Sequence, residues 1–518
     1  MIKELEKNIK ELENSKMQET ENGALAYSTS GRKLLDMNFK VASYRSMPEE
    51  DLVKDFTQAM SEDKILAAKF MFFLRDVRGG LGERRSFRVF LKTFVENNTF
   101  KNNVLYDFLF QISEYGRWDD LIWLYDNITD KITKSIIIQI IKDQIHDDIK
   151  RMSYGYSVSL LAKWMPRVNT SSKETKRIAR NLAKDLALNE RAYRKTIAGL
   201  NKYIDTVEVK MSANDWENID YEKVASKANI LYKDAFSKHD PKGRQQYLDK
   251  LEAGESKINA SVAYPYDIIH SYCAGNLYRI AGIKDVTLEE MWKSLPNYVD
   301  GDESTLVVCD SSASMTIRVG GGSVSAREVA YSLAIYFAER ANGEFKDKFI
   351  TFSEDPKFID ISKGTDLRTK FNIAVEHSEV SNTNIEKTML LVLDTAIKNH
   401  MKQNELPGNI LIISDMEFDQ GTFSWKHQNE LSRSLFDEIS NKFKEYGYKM
   451  PRIVFWNVNS RTCGVPIKEN ELGVALVSGF SPSICQMVLS SELDPWKCLL
   501  NVLNSERYYP IQRSLEMN

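Results

Sequence analysis

Apolar positions in the first half of the chain recur with the spacing of amphipathic helices. From residue 47 to about residue 202 they return every three or four positions, the connectors are short, and no strand pattern intervenes. This periodicity predicts helices over residues 49–60, 62–74, 83–97, 102–115, 118–127, 131–152, 158–164, 172–186 and 190–202, with further helices in the aromatic-rich stretch up to 300. A succession of helix pairs without strands predicts a HEAT-like α-solenoid.

The second half alternates short apolar runs with helical patterns. Strands are predicted over 306–309, 409–414, 452–456 and 473–477, with a further strand ending at Phe352; helices are predicted over 326–340 and 430–446 and from Pro482 onward. This alternation predicts an open, doubly wound α/β sheet. We therefore expect an N-terminal arm (1–46), a helical domain (47–300) and an α/β domain (301–518).

Oxygen-bearing side chains follow two of these predicted strands. Asp310, Ser312 and Ser314 come after the first strand, and Asp415 comes after the strand over 409–414. Because the carboxyl ends of parallel strands meet at one edge of a sheet, these residues are expected to converge there. Carboxylate and hydroxyl oxygens suit Mg²⁺ or another hard divalent cation. The alternative is an Asx-turn, in which the same residues bond only to the backbone.

The pattern Asp310-x-Ser312-x-Ser314 resembles the metal-ion-dependent adhesion site (MIDAS) of von Willebrand factor A (vWA) domains. The resemblance implies that Thr383 and Asp415 complete the site and that the cation keeps one position open for an outside carboxylate or phosphate oxygen. The motif segments contain no His or Lys placed to transfer a proton, so we expect a binding site and no enzymatic activity.

Two segments of the helical half, 73–85 and 115–121, combine arginines with glycines. They are similar to segments of the TROVE module, which is shared by the Ro family of RNA-binding proteins. A TROVE module followed by a vWA domain is the order of that family, and also of an uncharacterised family with the same two parts. The resemblance implies a helical ring closed by the A-type domain, whose opening admits an RNA end.

The arginines of these two segments also have a structural interpretation, which we favour over RNA contact. Arginine forms bidentate pairs with carboxylates and can lock neighbouring helix pairs together. On this interpretation the three arginines Arg75, Arg78 and Arg85 pair with acids that lie nearby in the sequence. Those acids are Asp76, Glu83 and Asp119.

The net charge of −3 hides a basic stretch over residues 151–210, where 13 Lys and Arg face only 5 acids. A local excess of this size favours a polyanionic partner. The candidate RNA-binding residues are Lys163, Arg167, Lys173, Lys176, Arg177, Arg180, Lys184, Arg191, Arg194 and Lys195. Five of them lie three or four positions apart on one helix and share a face. The alternative is a solvated helix face without a ligand.

The composition is that of a soluble protein, with 42% hydrophobic and 28% charged residues among 518. The N-terminus is charged, no apolar run is long enough for a membrane span, and five scattered cysteines indicate neither a disulfide framework nor a zinc site. We expect a cytoplasmic monomer with no membrane partner.

Three functions follow from these residues. The first is a non-catalytic RNA-binding protein resembling the Ro family, in which basic helices bind a small or structured RNA and a Mg²⁺-binding A-type domain contacts the RNA or a protein partner. The second is a metal-dependent protein-interaction scaffold without RNA. A metal-dependent nuclease is the least favoured, because no proton-transfer group accompanies the metal motif.

Overall fold

The chain forms two compact units, each assembled from segments distant in sequence. The structure, a computed structural model, describes residues 17–19, 25–27, 29–273, 280, 282–299, 304–319, 322–376, 384–416, 433–459, 474–479 and 494–516. One unit comprises residues 1–48 and 260–502, and the other comprises residues 49–259 and 503–518. This division differs from the predicted boundaries at 46 and 300, because residues 260–299 include a helix that packs against the residue 326–340 helix of the α/β unit and residues 503–516 pack with the first-half helices.

The second unit is helical, as its periodicity predicts. Its helices are Glu49–Glu62, Lys64–Arg75, Arg85–Glu96, Asn102–Phe110, Ile112–Tyr115, Trp118–Asn127, Lys131–Ser153, Leu161–Trp164, Lys173–Asp185, Glu190–Ile204, Val207–Ser212, Ser226–His239, Pro241–Glu252 and, near the C-terminus, Tyr509–Glu516. Side-chain caps fix several starts: Asp63, Asp130, Ser172 and Asn189 each accept a hydrogen bond from a backbone N–H in the first turn of the following helix.

Phenylalanines from neighbouring helices form the core of the helical unit. The rings of Phe56 and Phe90 stack with centroids 4.5 Å apart, and Phe108 packs edge-on against Phe72 and stacks on Phe94. All five side chains are fully buried. Aromatic pairs of this kind contribute about 0.5–1.5 kcal/mol each beyond the burial of their area.

The first unit contains a six-stranded sheet in the order β5-β4-β3-β6-β7-β8. Two short strands, β1 (Met17–Glu19) and β2 (Leu25–Tyr27), pair antiparallel outside this sheet. The sheet strands are β3 (Thr305–Asp310), β4 (Lys348–Phe352), β5 (Phe358–Asp360), β6 (Asn409–Ser414), β7 (Arg452–Asn457) and β8 (Val474–Ser478). All pairs are parallel except β4–β5, so β5 is an antiparallel edge strand that the sequence did not predict.

Helices cover the strands of this sheet. They are Lys33–Phe39, Pro265–Cys273, Val286–Lys293, Ala326–Arg340, Leu367–Glu376, Ile385–Lys398, Arg433–Glu445 and Pro495–Leu503. Every residue of β3, β6 and β7 is buried, which requires cover on both faces. Alternate positions such as Val308 and Ile412 share one core with Met389 of the Ile385–Lys398 helix. The doubly wound interpretation agrees with this α/β arrangement.

Part of the predicted N-terminal arm belongs to the core of the α/β unit. The Lys33–Phe39 helix buries Leu34, Leu35 and Phe39 and packs against β8. The carbonyl oxygen of Phe39 accepts a hydrogen bond from Nδ2 of Asn457 at the end of β7. The apolar side chains of this short helix are buried by the sheet, and so the segment is an ordered element and not a free arm. Among the described residues, no helix combines the length and the apolar character that crossing a membrane requires.

Candidate functional site

Asp310 and Asp415 lie at the carboxyl edge of the sheet, on the neighbouring strands β3 and β6. The strands pair in register up to Cys309 and Ile413, which brings Asp310 level with Ser414. The Asp310 carboxylate accepts two hydrogen bonds: Oδ2 from the Ser414 hydroxyl at 2.6 Å and Oδ1 from the Ser312 backbone N–H at 2.9 Å. Asp310 is 2% exposed and Asp415 is 1% exposed, so both predicted metal ligands are buried at the same edge.

Two of the three predicted hydroxyl ligands come from the loop after β3. Ser312 precedes a short 3₁₀ turn, Ala313–Thr316, and its Oγ lies 2.9 Å from the Oγ of Ser314. The hydrogen bond from Ser312 N–H to Asp310 is the contact that an Asx-turn makes. A carboxylate has about four lone-pair sites, and this bond uses one of those of Asp310. The remaining predicted ligand, Thr383, lies outside the described residues.

The donor set at this edge is made of hard oxygens, which suits Mg²⁺. It comprises the carboxylates of Asp310 and Asp415 and the hydroxyls of Ser312 and Ser314, and so it is neither a thiolate site nor one made mainly of carboxylates. Within the described ranges no group of three or more His, Cys, Asp or Glu side chains is placed to hold a metal ion. A site that takes hydroxyls and water as its remaining ligands does not need such a group.

Ser414 is a member of this site that sequence reasoning missed. Its hydroxyl also accepts a hydrogen bond from the Met416 backbone N–H at 3.0 Å, so it links the ends of β3 and β6. The sequence could have indicated this role, because parallel pairing of β3 and β6 places the residue before Asp415 beside the end of β3.

Eight of the ten predicted RNA-binding residues lie on two consecutive helices, Lys173–Asp185 and Glu190–Ile204. The first helix buries Ala179, Leu182 and Ala183, and its lysines and arginines lie on the remaining surface. Within the described part of the chain, seven of the ten candidates form no ion pair. These seven residues, named the free cations below, are Arg167, Lys173, Lys176, Lys184, Arg191, Arg194 and Lys195.

Acidic side chains neutralise the other three candidates. Nζ of Lys163 lies 3.2 Å from Oε1 of Glu208, and Nε of Arg180 lies 3.0 Å from Oε1 of Glu190. Arg177 contacts two acids, Glu174 on its own helix and Asp126 at 2.6 Å. Hydrogen bonds from Arg177 to Glu174 and Asp126 raise the pKa of its guanidinium. These three residues are poorer candidates for phosphate contact than the sequence suggested.

Arg75 of the 73–85 segment forms a buried ion pair and Arg78 forms an exposed one with Glu114, so neither pairs with one of the predicted acids. Nε of Arg75 donates to Oδ2 of Asp120 at 2.7 Å, not to Asp76, Glu83 or Asp119. The predicted partner Asp76 instead binds the guanidinium of Arg507. Both pairs are difficult to predict from the sequence, since the partners are separated by 45 and 431 positions.

Aromatic residues near the basic helices serve the packing of the helical unit. Trp118 is 6% exposed, and the Tyr193 hydroxyl donates to the Pro166 carbonyl at 2.8 Å. Trp164 lies under the Arg117 guanidinium, with 4.2 Å between Cζ and the ring centroid. These contacts fit the packing interpretation better than base stacking.

Two family models match adjacent stretches of the chain. A domain of unknown function (DUF2828) matches residues 123–301, and another domain of unknown function (DUF7788) matches residues 304–497. The second match includes Asp310, Asp415 and the whole of the six-stranded sheet. The chain is also similar to an uncharacterized protein of Acanthamoeba polyphaga mimivirus, with 28% identity over 529 residues that cover 95% of this chain and 88% of the relative. The similarity to the viral protein therefore extends through segments of both units.

Proposed function

We propose that this protein binds RNA without transforming it, through the free cations, six of which lie on the Lys173–Asp185 and Glu190–Ile204 helices. The observation that carries the proposal is the set of seven exposed or half-exposed cations that lack ion-pair partners among the described residues. Phosphates compete well for such cations because no protein carboxylate has to be displaced. The similarity of the 73–85 and 115–121 segments to the TROVE module supports a structured or small RNA, as does the order of a helical array before an A-type domain.

The proposal includes a Mg²⁺ site of the vWA type at the carboxyl edge of the sheet. Asp310, Ser312, Ser314 and Asp415 would hold the cation together with Thr383. Bound there, the cation would supply an open coordination position for a phosphate or carboxylate oxygen. Ser414 keeps the Asp310 carboxylate oriented through its 2.6 Å hydrogen bond. The HEAT-like ring closed by the A-type domain stays a prediction of the resemblance.

Charge reversal tests the RNA surface. The triple variant Lys173→Glu, Lys176→Glu and Lys184→Glu removes three free cations from one helix. We expect it to weaken binding of a fluorescently labelled RNA hairpin at least about tenfold and to lower the slope of log affinity against log salt by about 2 to 3. Fluorescence anisotropy over a range of salt concentrations measures both quantities.

A matched control carries the same charge change elsewhere on the helical unit. Lys238, Lys242 and Lys250 are exposed, and none of them forms an ion pair with a described residue. Reversing these three to Glu should leave the affinity within about threefold of the parent, apart from long-range repulsion that salt screens. Equal loss in both triple variants, or no loss in either, would contradict an RNA surface on the Lys173–Asp185 helix.

Thermal unfolding tests the cation site. Mg²⁺ should raise the melting temperature of the parent protein, because a ligand that binds only the folded state stabilises it. Asp310→Ala should abolish the rise, while Asp360→Ala, which removes an exposed carboxylate at the end of β5, should keep it. Absence of a Mg²⁺-dependent rise in the parent would contradict the metal site.

The second candidate is a metal-dependent protein-interaction scaffold. It is favoured by the neutralisation of Lys163, Arg177 and Arg180, which removes three of the ten cations proposed for RNA. Purified protein free of nucleic acid, with no RNA affinity at low salt and an intact Mg²⁺ response, would support the scaffold over RNA binding. A metal-dependent nuclease stays the least favoured alternative.

A further inference from the structure

His270 lies between a carboxylate and a hydroxyl on the α/β unit. Its Nδ1 is 2.7 Å from Oε1 of Glu328, and its Nε2 is 3.0 Å from Oγ of Ser323. The three residues come from the Pro265–Cys273 helix, the Ala326–Arg340 helix and the turn before the latter. None of them belongs to the metal site or to the basic helices.

The hydrogen bonds fix which ring nitrogen carries the proton. An ionised carboxylate only accepts, so Nδ1 of His270 must donate to Glu328. In the neutral imidazole this leaves Nε2 as an acceptor, and the Ser323 hydroxyl must then donate to it. This is the proton arrangement that activates a serine hydroxyl as a nucleophile.

The buried position of the Glu328 carboxylate and the exposure of the Ser323 hydroxyl also suit a site with a serine nucleophile. The Glu328 side chain is 1% exposed, His270 is 29% exposed, and Ser323 is exposed. The second carboxylate oxygen of Glu328 accepts from the backbone N–H of Ser325 at 2.6 Å and from its hydroxyl at 2.9 Å. The buried end of the cluster is therefore held firmly, and the end that would meet a substrate is open to solvent.

The turn that carries Ser323 is itself constrained. Arg318 and Ser325 form an antiparallel bridge, and the Val319 N–H donates to the Val324 carbonyl at 2.8 Å. Helix capping accounts for the contact of Glu328 with Ser325, and helix docking accounts for its contact with His270. Neither capping nor docking requires a hydroxyl beside Nε2 of His270. The contact between this nitrogen and the Ser323 hydroxyl provides a path for proton transfer.

We propose that Ser323, His270 and Glu328 form a second site that cleaves carboxylic esters. Ser323 would be the nucleophile, His270 the general base and then the general acid, and Glu328 the positioning residue. The proposal is independent of RNA binding and of the metal site, and it adds an activity where the sequence predicted none.

Each step of the reaction balances with water as the only co-reactant. Oγ of Ser323 bonds to the ester carbonyl carbon as Nε2 of His270 takes the hydroxyl proton. The bond from carbon to the leaving oxygen then breaks, and His270 delivers that proton to the departing alcohol. Water next attacks the acyl-serine, His270 takes one proton from it and returns it to Ser323, and the carboxylic acid leaves.

The base must be neutral to accept a proton, so the reaction should accelerate as pH rises through the His270 pKa. The hydrogen bond that His270 donates to Glu328 raises this pKa and outweighs burial, which lowers it; the charges of Glu328 and Asp267 raise it further, and Arg318 acts in the opposite direction. The midpoint should therefore lie above the ordinary value of 6.5. A surface serine without a general base would not show this profile.

Covalent labelling of the full chain provides the experiment. A fluorophosphonate probe should modify Ser323, identified by peptide mass spectrometry, and p-nitrophenyl acetate should acetylate the same residue. Ser323→Ala should abolish both adducts. His270→Gln, which keeps a hydrogen-bonding side chain, should lower the labelling rate at least about a hundredfold and remove the pH dependence.

Two controls separate chemistry from folding. Ser362→Ala changes an exposed serine elsewhere on the α/β unit and should leave labelling of Ser323 unchanged. The melting temperature of each variant reports whether it folds. No adduct at Ser323 in the folded parent, or an equal labelling rate in a folded His270→Gln variant, would overturn the proposal.

Discussion

The guanidinium of Arg75 and the carboxylate of Asp120 are joined by a 2.7 Å hydrogen bond, and both side chains are buried, at 3% and 0% exposure. Asp120 also accepts from Nε of Arg88 at 2.7 Å and from the backbone N–H of Arg117 at 3.1 Å. One carboxylate therefore ties together the Lys64–Arg75, Arg85–Glu96 and Trp118–Asn127 helices. The arginine-rich segments hold the helical unit together.

Asp120→Ala should strongly destabilise the helical unit. The change leaves the buried guanidinium of Arg75 without its carboxylate, and breaking a buried ion pair in this way costs about 3–5 kcal/mol. Urea unfolding followed by circular dichroism measures the loss. Arg78→Ala is the control, because Arg78 is 61% exposed and exposed ion pairs contribute about 0–1 kcal/mol. Similar losses for the two variants would contradict the role of Asp120.

Arg507→Ala should loosen the C-terminal segment from the helical unit. Asp76 is fully buried and binds the Arg507 guanidinium, while the Tyr508 hydroxyl donates to the same carboxylate at 3.1 Å. Loss of the cation should destabilise the segment by about 1–3 kcal/mol. Hydrogen exchange should then show faster amide exchange in the Tyr509–Glu516 helix. Arg513→Ala, on the same helix, should leave the exchange unchanged.

Stability should depend on pH through the pair formed by His270 and Glu328. The hydrogen bond to Glu328 raises the His270 pKa, so the stabilisation is complete below about pH 6.5 and is lost as pH rises through the folded pKa. Burial raises the Glu328 pKa, but hydrogen bonds from His270 and Ser325 outweigh this and lower it. That stabilisation is present above about pH 4.5 and is lost as pH falls through the folded pKa.

The difference in unfolding free energy between the parent and His270→Gln should consequently be greatest between about pH 4.5 and 6.5. Urea titrations at a series of pH values measure this difference. A difference that does not change with pH would indicate that the pair contributes only through packing.

Ser414→Ala should weaken Mg²⁺ binding without unfolding the α/β unit. The substitution removes the hydroxyl that orients Asp310, and loss of such an outer partner typically costs about 10–100-fold in metal affinity. Isothermal titration with Mg²⁺ measures the change. Ser353→Ala, a buried serine after β4, is the control. Unchanged affinity in Ser414→Ala would show that the hydrogen bond between Ser414 and Asp310 does not support the cation.

Local pattern was sufficient for many of the helices, though not for Lys33–Phe39, and for one edge of the sheet. The helices predicted over 118–127 and 326–340 have the observed bounds of Trp118–Asn127 and Ala326–Arg340. The second is buried at every position from Ala326 to Ala338, so its high apolar content identifies it more than a single apolar face does. The approach of Asp310 to the end of β6 followed from parallel pairing, which brings strand ends to one edge. The three-residue strand β5 was missed because it is too short for an alternating pattern.

Contacts between distant segments were not accessible in this way. His270 is 53 residues from Ser323, and nothing in the periodicity of the Pro265–Cys273 helix says which helix it packs against. The pairing of Arg75 with Asp120 was missed for the same reason, since several acids nearer in sequence were equally plausible partners. Residues 503–516 were assigned to the α/β domain because they follow it in the chain, although their side chains pack with Phe73 and Asp76.

The position of the Lys33–Phe39 helix against β8 has a consequence for how the protein is made. Residues near the start of the chain leave the ribosome long before the strand that receives them, which ends at Ser478. The apolar residues of this helix cannot pack against the sheet until more than four hundred further residues have been translated, and until then they are exposed or bound by a chaperone. Neither unit can therefore finish folding until almost the whole chain has been synthesised. A chain truncated before β8 should be released without its final fold and become a substrate for proteolysis.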